Sequence, residues 1–301
     1  MLDLLFIVDP LSQLDPARDS SIALMQSARR RGHRVDDAEM SELTLRGADA
    51  WVRGRPIGSY DAVFLRPDPP FDSHYLTATL ILERAREHCL IVNDPRGVRN
   101  ANEKLYALNF ADFIPTTRVT SSIAELREVL VDLDGEMIVK PLDRCGGSGV
   151  LHVRADDRNT RALLEMATCD GRRPVVAQRY LREARRGDKR ILLLDGEPLG
   201  AILRVPPDDE TRANLHVGAR PERAVLTARE QALCAVVGER CRRDGLWFVG
   251  LDVIGEHLTE VNVTSPTGLR ELAALDGGDP AGAVVDWVER RAGGRTLDLA
   301  A

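Results

Sequence analysis

No apolar run in this chain approaches the roughly 20 residues that a membrane-spanning helix requires, so no membrane segment is expected. Cysteine is scarce and badly spaced for structural use. Cys89, Cys145, Cys169, Cys234 and Cys241 are odd in number and form no C-x-x-C pair. That argues against a disulfide framework or a zinc site and suits a reducing cytoplasm. The six histidines are scattered without an H-E-x-x-H, which speaks against a His-bound transition metal. Neither the G-x-x-x-x-G-K-[ST] phosphate loop nor the G-x-G-x-x-G dinucleotide fingerprint occurs. There is no concentrated basic block either; Arg is spread along a chain of net charge -6, so nucleic acid is an unsuitable partner. The apolar start, Met1 to Asp9, carries Asp3 and no basic flank, and reads as a first strand rather than a signal peptide.

What the 301 residues do contain is alternation. Length suggests about two domains of roughly 150 residues. Leu4 to Val8 reads as a strand, Ser20 to Arg31 as a helix ended by Gly32, and His33 to Asp36 as another strand. Ala62 to Leu65 is a strand, Tyr75 to His88 a helix, and Leu90 to Val92 a strand. This order predicts an α/β fold with a parallel sheet under helices. Asn93-Asp94-Pro95 is a turn signal and marks a first domain boundary. Beyond it, capping boxes at Ser122 and Thr227 predict helices to about Leu133 and Gly245. Met137 to Lys140 and Val175 to Gln178 read as strands, and Asp195-Gly196-Glu197-Pro198 as the turn of a hairpin. The tail after Arg291 is expected to fray.

Three segments carry candidate chemistry. Strand alternation puts Glu260 and Asn262 on one face. With a three-residue turn at Gly255-Glu256-His257, Ile254 would oppose Leu258 and Asp252 would oppose Glu260. Two carboxylates facing each other repel unless a cation lies between them, and such hard oxygen ligands suit Mg²⁺. An edge hairpin with its polar face in water would read the same way. In the second segment Lys140 ends a strand before Arg144-Cys145-Gly146-Gly147-Ser148-Gly149. Glycines let backbone N–H groups approach phosphate and the lysine adds charge, although many glycine turns are only turns. Asp188-Lys189-Arg190 and Arg204 flank the hairpin turn, and taken alone they favour a solvated face. The long polar stretch from Pro206 to Pro221 has the length of a lid or a linker.

In order along the chain, these segments resemble the bacterial glutathione synthetases, members of the ATP-grasp ligases. The resemblance runs through Val8-Asp9-Pro10, Arg66-Pro67-Asp68-Pro69-Pro70, Asn102-Glu103-Lys104-Leu105, Lys140-Pro141-Leu142-Asp143, Gln178-Arg179-Tyr180-Leu181, Gly187-Asp188-Lys189-Arg190, Glu210-Thr211-Arg212, Gly250-Leu251-Asp252 and Thr259 to Thr267. It implies an N-terminal Rossmann-like domain (1–100), a central ATP-grasp lid domain (101–179) and a C-terminal catalytic domain (180–301) with a mobile loop at 206–221. ATP would lie between the last two.

Carried over by position, Lys104, Lys140, Gly146 and Gly147 would bind ATP phosphates, and Gln178, Tyr180 and Leu181 would line the adenine pocket. Arg190, Arg204 and Arg212 would be the catalytic cations. Asp252, Glu260 and Asn262 would hold Mg²⁺, with Mn²⁺ able to substitute. Arg66, Ser265, Thr267 and Arg270 would orient the acyl donor and the amine. The implied reaction joins γ-glutamylcysteine to glycine through an acyl phosphate, in a cytoplasmic homo-oligomer. The chain departs from the family pattern at Asp208-Asp209 and Ala213 in the lid and at Arg144-Cys145 in the phosphate turn. These departures keep open a related ligase with another acceptor or donor. A non-catalytic nucleotide-binding protein is the third reading, opposed by the complete metal set and both lysines.

Overall fold

The computed structural model describes residues 1–207 and 218–298. Arg212, most of the expected lid and the last three residues lie outside these. The chain begins with β1 (Asp3–Ile7), α1 (Ser20–Arg30) and β2 (Arg34–Ala38). A small antiparallel meander follows, made of β3 (Leu43–Arg46), β4 (Asp49–Val52) and β5 (Arg55–Pro56). Then come β6 (Ala62–Leu65), α2 (Ser73–Leu82) and β7 (Leu90–Val92). The first sheet is parallel in the order β2-β1-β6-β7. Its inner strands β1 and β6 are apolar on both faces, as a strand covered on both sides must be. Asp19 and Asp72 cap the two helices through their side chains, accepting from Ile22 N and Tyr75 N. The second helix is shorter than the periodicity predicts. It tightens to a 3-10 turn at Glu83–Ala85, where Glu83 is held by Arg96 and Arg99. The meander, too short and mixed for the pattern to show, was not foreseen.

Two short helices, α3 (Pro95–Asn100) and α4 (Glu103–Tyr106), lead to a second α/β unit: β8 (Thr117–Thr120), α5 (Ile123–Asp132), β9 (Glu136–Pro141), β10 (Leu151–Arg154), α6 (Thr160–Thr168) and β11 (Val175–Arg179). Its antiparallel sheet, β10-β9-β11-β8, has a core of its own around Leu126, Leu130, Met137, Val139 and Leu164. Ser122 caps α5 as expected, but the reciprocal half of the box is absent: Glu125 binds the Thr120 hydroxyl instead.

The third sheet, β14-β13-β12-β15-β16, is antiparallel. Its strands are β12 (Asp188–Leu194), β13 (Glu197–Val205), β14 (Arg220–Arg223), β15 (Phe248–Ile254) and β16 (His257–Asn262). Asp195 and Gly196, both at positive φ, form the tight turn between β12 and β13. Helix α7 (Ala228–Arg243) starts at a complete Thr227–Glu230 capping box. Helices α8 (Leu269–Asp276) and α9 (Pro280–Asp298) close the chain. The tail expected to fray is helical through Asp298, because Val284, Val285, Val288 and Ala292 bury an apolar stripe and α9 packs on α1. Among the described residues, no helix is long and apolar enough to cross a membrane.

The first and third sheets share a continuous core. Leu5, Ile7, Val63 and Leu65 meet Ile191, Leu193, Val249 and Val261 on one side; Phe6 and Phe64 meet Leu192, Ile202 and Phe248 on the other. Buried Asn93 fastens this junction. Its amide donates to Phe248 O (2.8 Å) and Val263 O (2.7 Å) and accepts from Phe248 N (2.7 Å). Stripping a buried partner leaves the remaining groups unsatisfied at about 1–3 kcal/mol each. Asn93→Ala should therefore destabilise the fold by roughly 3 kcal/mol or more. Asn93→Asp, which replaces the donor with an acceptor facing two carbonyls, should do at least as much harm. Chemical denaturation measures both, and a loss below about 1 kcal/mol in each variant would contradict this role.

Candidate active site

Arg190, Arg204, Asp252, Glu260 and Asn262 converge on one face of the third sheet, and two register irregularities help to put them there. The turn after β15 is the two-residue Gly255-Glu256, so Ile254 pairs with His257 rather than with Leu258. Continued regularly, that register would set Thr259 opposite Asp252. A bulge at Thr259 shifts the pairing by one and brings Glu260 opposite Asp252, and Asn262 opposite Gly250. A second bulge, at Leu199, likewise turns Arg204 to face Asp188. Arg190 pairs with Asp252 across β12 and β15.

The result is a buried charge network rather than a solvated face. Arg190 donates from Nε (2.6 Å) and Nη2 (3.1 Å) to the two oxygens of Asp252, and from Nη1 to Thr267 O. Arg204 grips Asp188 in the same two-pronged way and reaches Asp252 Oδ1 at 3.0 Å. Both arginines are at most 5% exposed, which overturns the solvated-hairpin alternative. Burial works to raise the Asp252 carboxyl, but the charges and hydrogen bonds of Arg190 and Arg204 outweigh it and hold it below the carboxylate range. For Asp188 burial wins, helped by Asp252 and opposed by Arg204, and its carboxyl rises to about 6. Gly250 lies beneath this network. A Cβ there would meet Arg190 Cδ at 2.9 Å and Pro266 Cβ at 3.1 Å, so only glycine lets the guanidinium lie across the strand.

A cleft of about 120 Å³ opens between this face and the second sheet. Lys140, Gly147, Gln178, Tyr180 and Leu181 line one side; Asp188, Asp252 and Glu260 line the other. Gln178 is buried and held by the Thr117 hydroxyl at 2.9 Å. Among the described residues the Lys140 ammonium has no hydrogen-bond or ion-pair partner. Burial lowers its pKa, a nearby Glu260 raises it, and Lys104 lowers it further. Lys104, itself buried, is placed by Asn102, whose side chain caps α4 at Lys104 N and Leu105 N. Its ammonium donates to Arg144 O at 2.5 Å and lies 3.7 Å from Glu260 Oε1. Gly146 and Gly147 occupy the turn at φ +62 and +76, conformations that glycine supplies without strain.

Beside the network, buried Arg66 donates to Ser21 Oγ, Ser265 Oγ (3.1 Å) and Pro266 O (2.9 Å). Thr267 enters only through its carbonyl. Arg270 lies apart, bound to Gln26 Oε1, with a buried Nε that has no partner among the described residues. Asn262 binds Gly250 O through its amide nitrogen, leaving its oxygen unengaged among the described residues.

Sequence reasoning named Asp188 and Glu103 within its segments but gave neither a role in the site. Glu103 Oε1 accepts from Val263 N, Thr264 N and Thr264 Oγ1, fixing the end of β16 to α4; burial and Glu260 raise its pKa. The motif Asn102-Glu103-Lys104 held the signal for it, whereas Asp188 becomes visible only once the bulge at Leu199 is known. A larger cavity of about 730 Å³ lies between Asp94, Tyr106 and Arg240, but it holds none of these lysines or carboxylates.

The profile for "Prokaryotic glutathione synthetase, ATP-grasp domain" matches residues 103–277, and that for the N-terminal domain of the same family matches 2–59 and 55–99. A glutathione synthetase of Gloeobacter violaceus is 45% identical over 95% of this chain and 96% of its own. That of Agrobacterium fabrum is 42% identical over 94% and 95%. Among solved structures, the ATP-grasp ligase PsnB with a minimal precursor superposes at TM-score 0.69 with 18% identity, covering 94% of this chain and 97% of its own. D-cycloserine synthetase DcsG gives 0.69 and 18% over 95% and 99%. At such identities these two speak for the ATP-grasp fold alone. With both domain profiles and near-complete relatives above 40% identity, the chain belongs to the prokaryotic glutathione synthetase family.

Proposed function

We propose that the cleft between the second and third sheets is where this ATP-dependent carboxylate–amine ligase makes glutathione, joining γ-glutamylcysteine to glycine. The observation that carries the assignment of the site is the unpaired Lys140 ammonium facing the Arg190–Asp252–Arg204–Asp188 network and Glu260. A carboxylate is a poor electrophile. Its oxygen attacks the γ-phosphorus of ATP, ADP leaves, and an acyl phosphate forms. The glycine amine then attacks the acyl carbon, the C–N bond forms, phosphate departs and the amine gives up a proton. Lys140 and Lys104 take the phosphate oxygens, and Arg190 offsets charge on the transferring group. Arg66, with Ser265 beside it, is suited to hold a substrate carboxylate.

The donor set fits a divalent metal. Among the described residues no three His, Cys, Asp or Glu side chains could hold one alone, so nucleotide phosphates and water would complete the shell. Glu260 and the free oxygen of Asn262 are open to it, while Asp252 would have to release a guanidinium. Once bound, Mg²⁺ offsets charge on the phosphoryl oxygens, and Mn²⁺ has the same preference for oxygen. The five free thiols suit a reducing cytoplasm. Exposed Leu76 and Leu80 on α2, beside exposed Leu45 on β3, suit an interface between copies of the chain.

Phosphate release should require γ-glutamylcysteine and glycine together. Release with a different donor–acceptor pair and none with this one would favour a related ligase; none with any pair would favour a silent nucleotide binder. Glu260→Gln and Asn262→Ala should lower turnover roughly 100-fold or more while thermal stability holds. Full turnover of the native enzyme with every divalent ion chelated would refute the metal assignment. Lys140→Ala should weaken ATP binding about ten- to hundredfold, the loss of a charged hydrogen bond. The melting temperature should barely move, since among the described residues the ammonium has no partner to orphan. Unchanged ATP affinity by calorimetry would remove Lys140 from the site.

A further inference from the structure

Tyr180 is a partition. One side of it lines the cleft with Gln178, Leu181 and Lys140. The other borders an outer cavity of about 460 Å³ lined by Glu136, Arg154, Arg182 and Arg185. A ring with open space behind it has a second place to go, and fixing a side chain in one rotamer has an entropic cost that the binding of a ligand would otherwise carry.

Among the described residues, two contacts hold the ring. Arg185 Nε donates to the phenol oxygen at 3.3 Å, an exposed and long bond. The stronger brace is His152 on β10, whose ring stacks on Tyr180 with centroids 4.3 Å apart and 21° between planes. His152 is itself fixed, since Nε2 lies 2.8 Å from Glu136 Oε1 on the neighbouring strand. Its Cα partner in the sheet is Ile138, which also lines the cleft. The brace is thus anchored to β9, the strand that carries Lys140.

We propose that His152 is a positioning residue for nucleotide binding: by stacking on Tyr180 and pairing with Glu136, it keeps the Tyr180 ring on the cleft side of the partition. The proposal rests on the reading of this cleft as the ATP site. His152 has no contact with the reacting atoms, so its removal acts on ATP affinity and not on the chemical step.

The test compares four variants by calorimetric ATP titration and by steady-state kinetics. Tyr180→Ala examines the underlying reading; if it leaves ATP affinity unchanged, the cleft assignment is at fault rather than the brace. With Tyr180→Ala impaired, His152→Ala should raise the Kd and KM for ATP about three- to tenfold, the worth of one aromatic pair. Values of kcat, and of KM for the dipeptide and glycine, should stay within twofold. His152→Phe keeps a stacking ring without the Glu136 bond and should recover most of the affinity. In the double variant Tyr180→Ala/His152→Ala the His152 effect should vanish, since there is no ring left to hold. An unchanged ATP Kd in His152→Ala would overturn the proposal. So would an equal loss in kcat, or the same His152 effect with and without Tyr180.

Discussion

Everything in the site hangs on Asp252 being shared by two buried arginines. A lone carboxylate at this depth would be driven toward its neutral form; here Arg190 and Arg204 keep it ionised. Each arginine is also committed elsewhere, to Thr267 O and to Asp188, so the network ties β12, β13 and β15 to the loop after β16. Such a network is stable only when every member is satisfied. The bulges at Leu199 and Thr259 are the devices that satisfy it, because a regular ladder would turn Arg204 and Glu260 to the opposite face, into the apolar core. Thr259, the extra residue of the β16 bulge, stays tied down by donating its hydroxyl to Asp252 O at 3.1 Å.

The same face is held from outside the sheet. Asn93, at the end of the parallel sheet, takes Phe248 and Val263, which bracket β15 and β16. Glu103 takes Val263 and Thr264 from α4, and the next residue along is Lys104. The end of β16 is therefore clamped between the first sheet and the helix that presents Lys104. A shift in either clamp would move Asn262 and Lys104 together. This explains why so much of the polar surface near the site is spent on backbone groups rather than left for substrate.

The legible part of this structure was local. Ala62 to Leu65 and Leu90 to Val92 coincide with their strands, and the Asp195-Gly196 and Thr227–Glu230 signals decided their turn and cap, because each depends on a few adjacent residues. The opposition of Asp252 and Glu260 was also anticipated, but for the wrong reason: a three-residue turn was assumed where a two-residue turn and a bulge occur. Bulges depend on what both strands must bury, so one strand's alternation does not reveal them. The burial of Arg190 and Arg204 was missed for the same reason, since nothing in their immediate neighbours announces that Asp188 and Asp252 will meet them. His152 gave no signal either, because its stacking partner lies on a segment brought alongside only by the pairing of β9 with both β10 and β11.

Charge balance fixes what the cleft lacks. Lys104, Lys140, Arg190 and Arg204 face Asp188, Asp252, Glu260 and Glu103, four cations against four carboxylates. Among the described residues all but Lys140 have a hydrogen-bond or ion-pair partner, and burial lowers the pKa of Lys140. A polyphosphate entering from the glycine turn would therefore meet Lys140 first, at no expense to an existing bond. Lys104 can follow only by leaving Arg144 O, which frees the turn that carries Arg144 to move. Glu260, then without its lysine, becomes an unpaired carboxylate opposite Asp252, a pair whose repulsion a divalent ion removes. Phosphate and metal should thus bind with mutual benefit, each neutralising the charge that the other's arrival exposes.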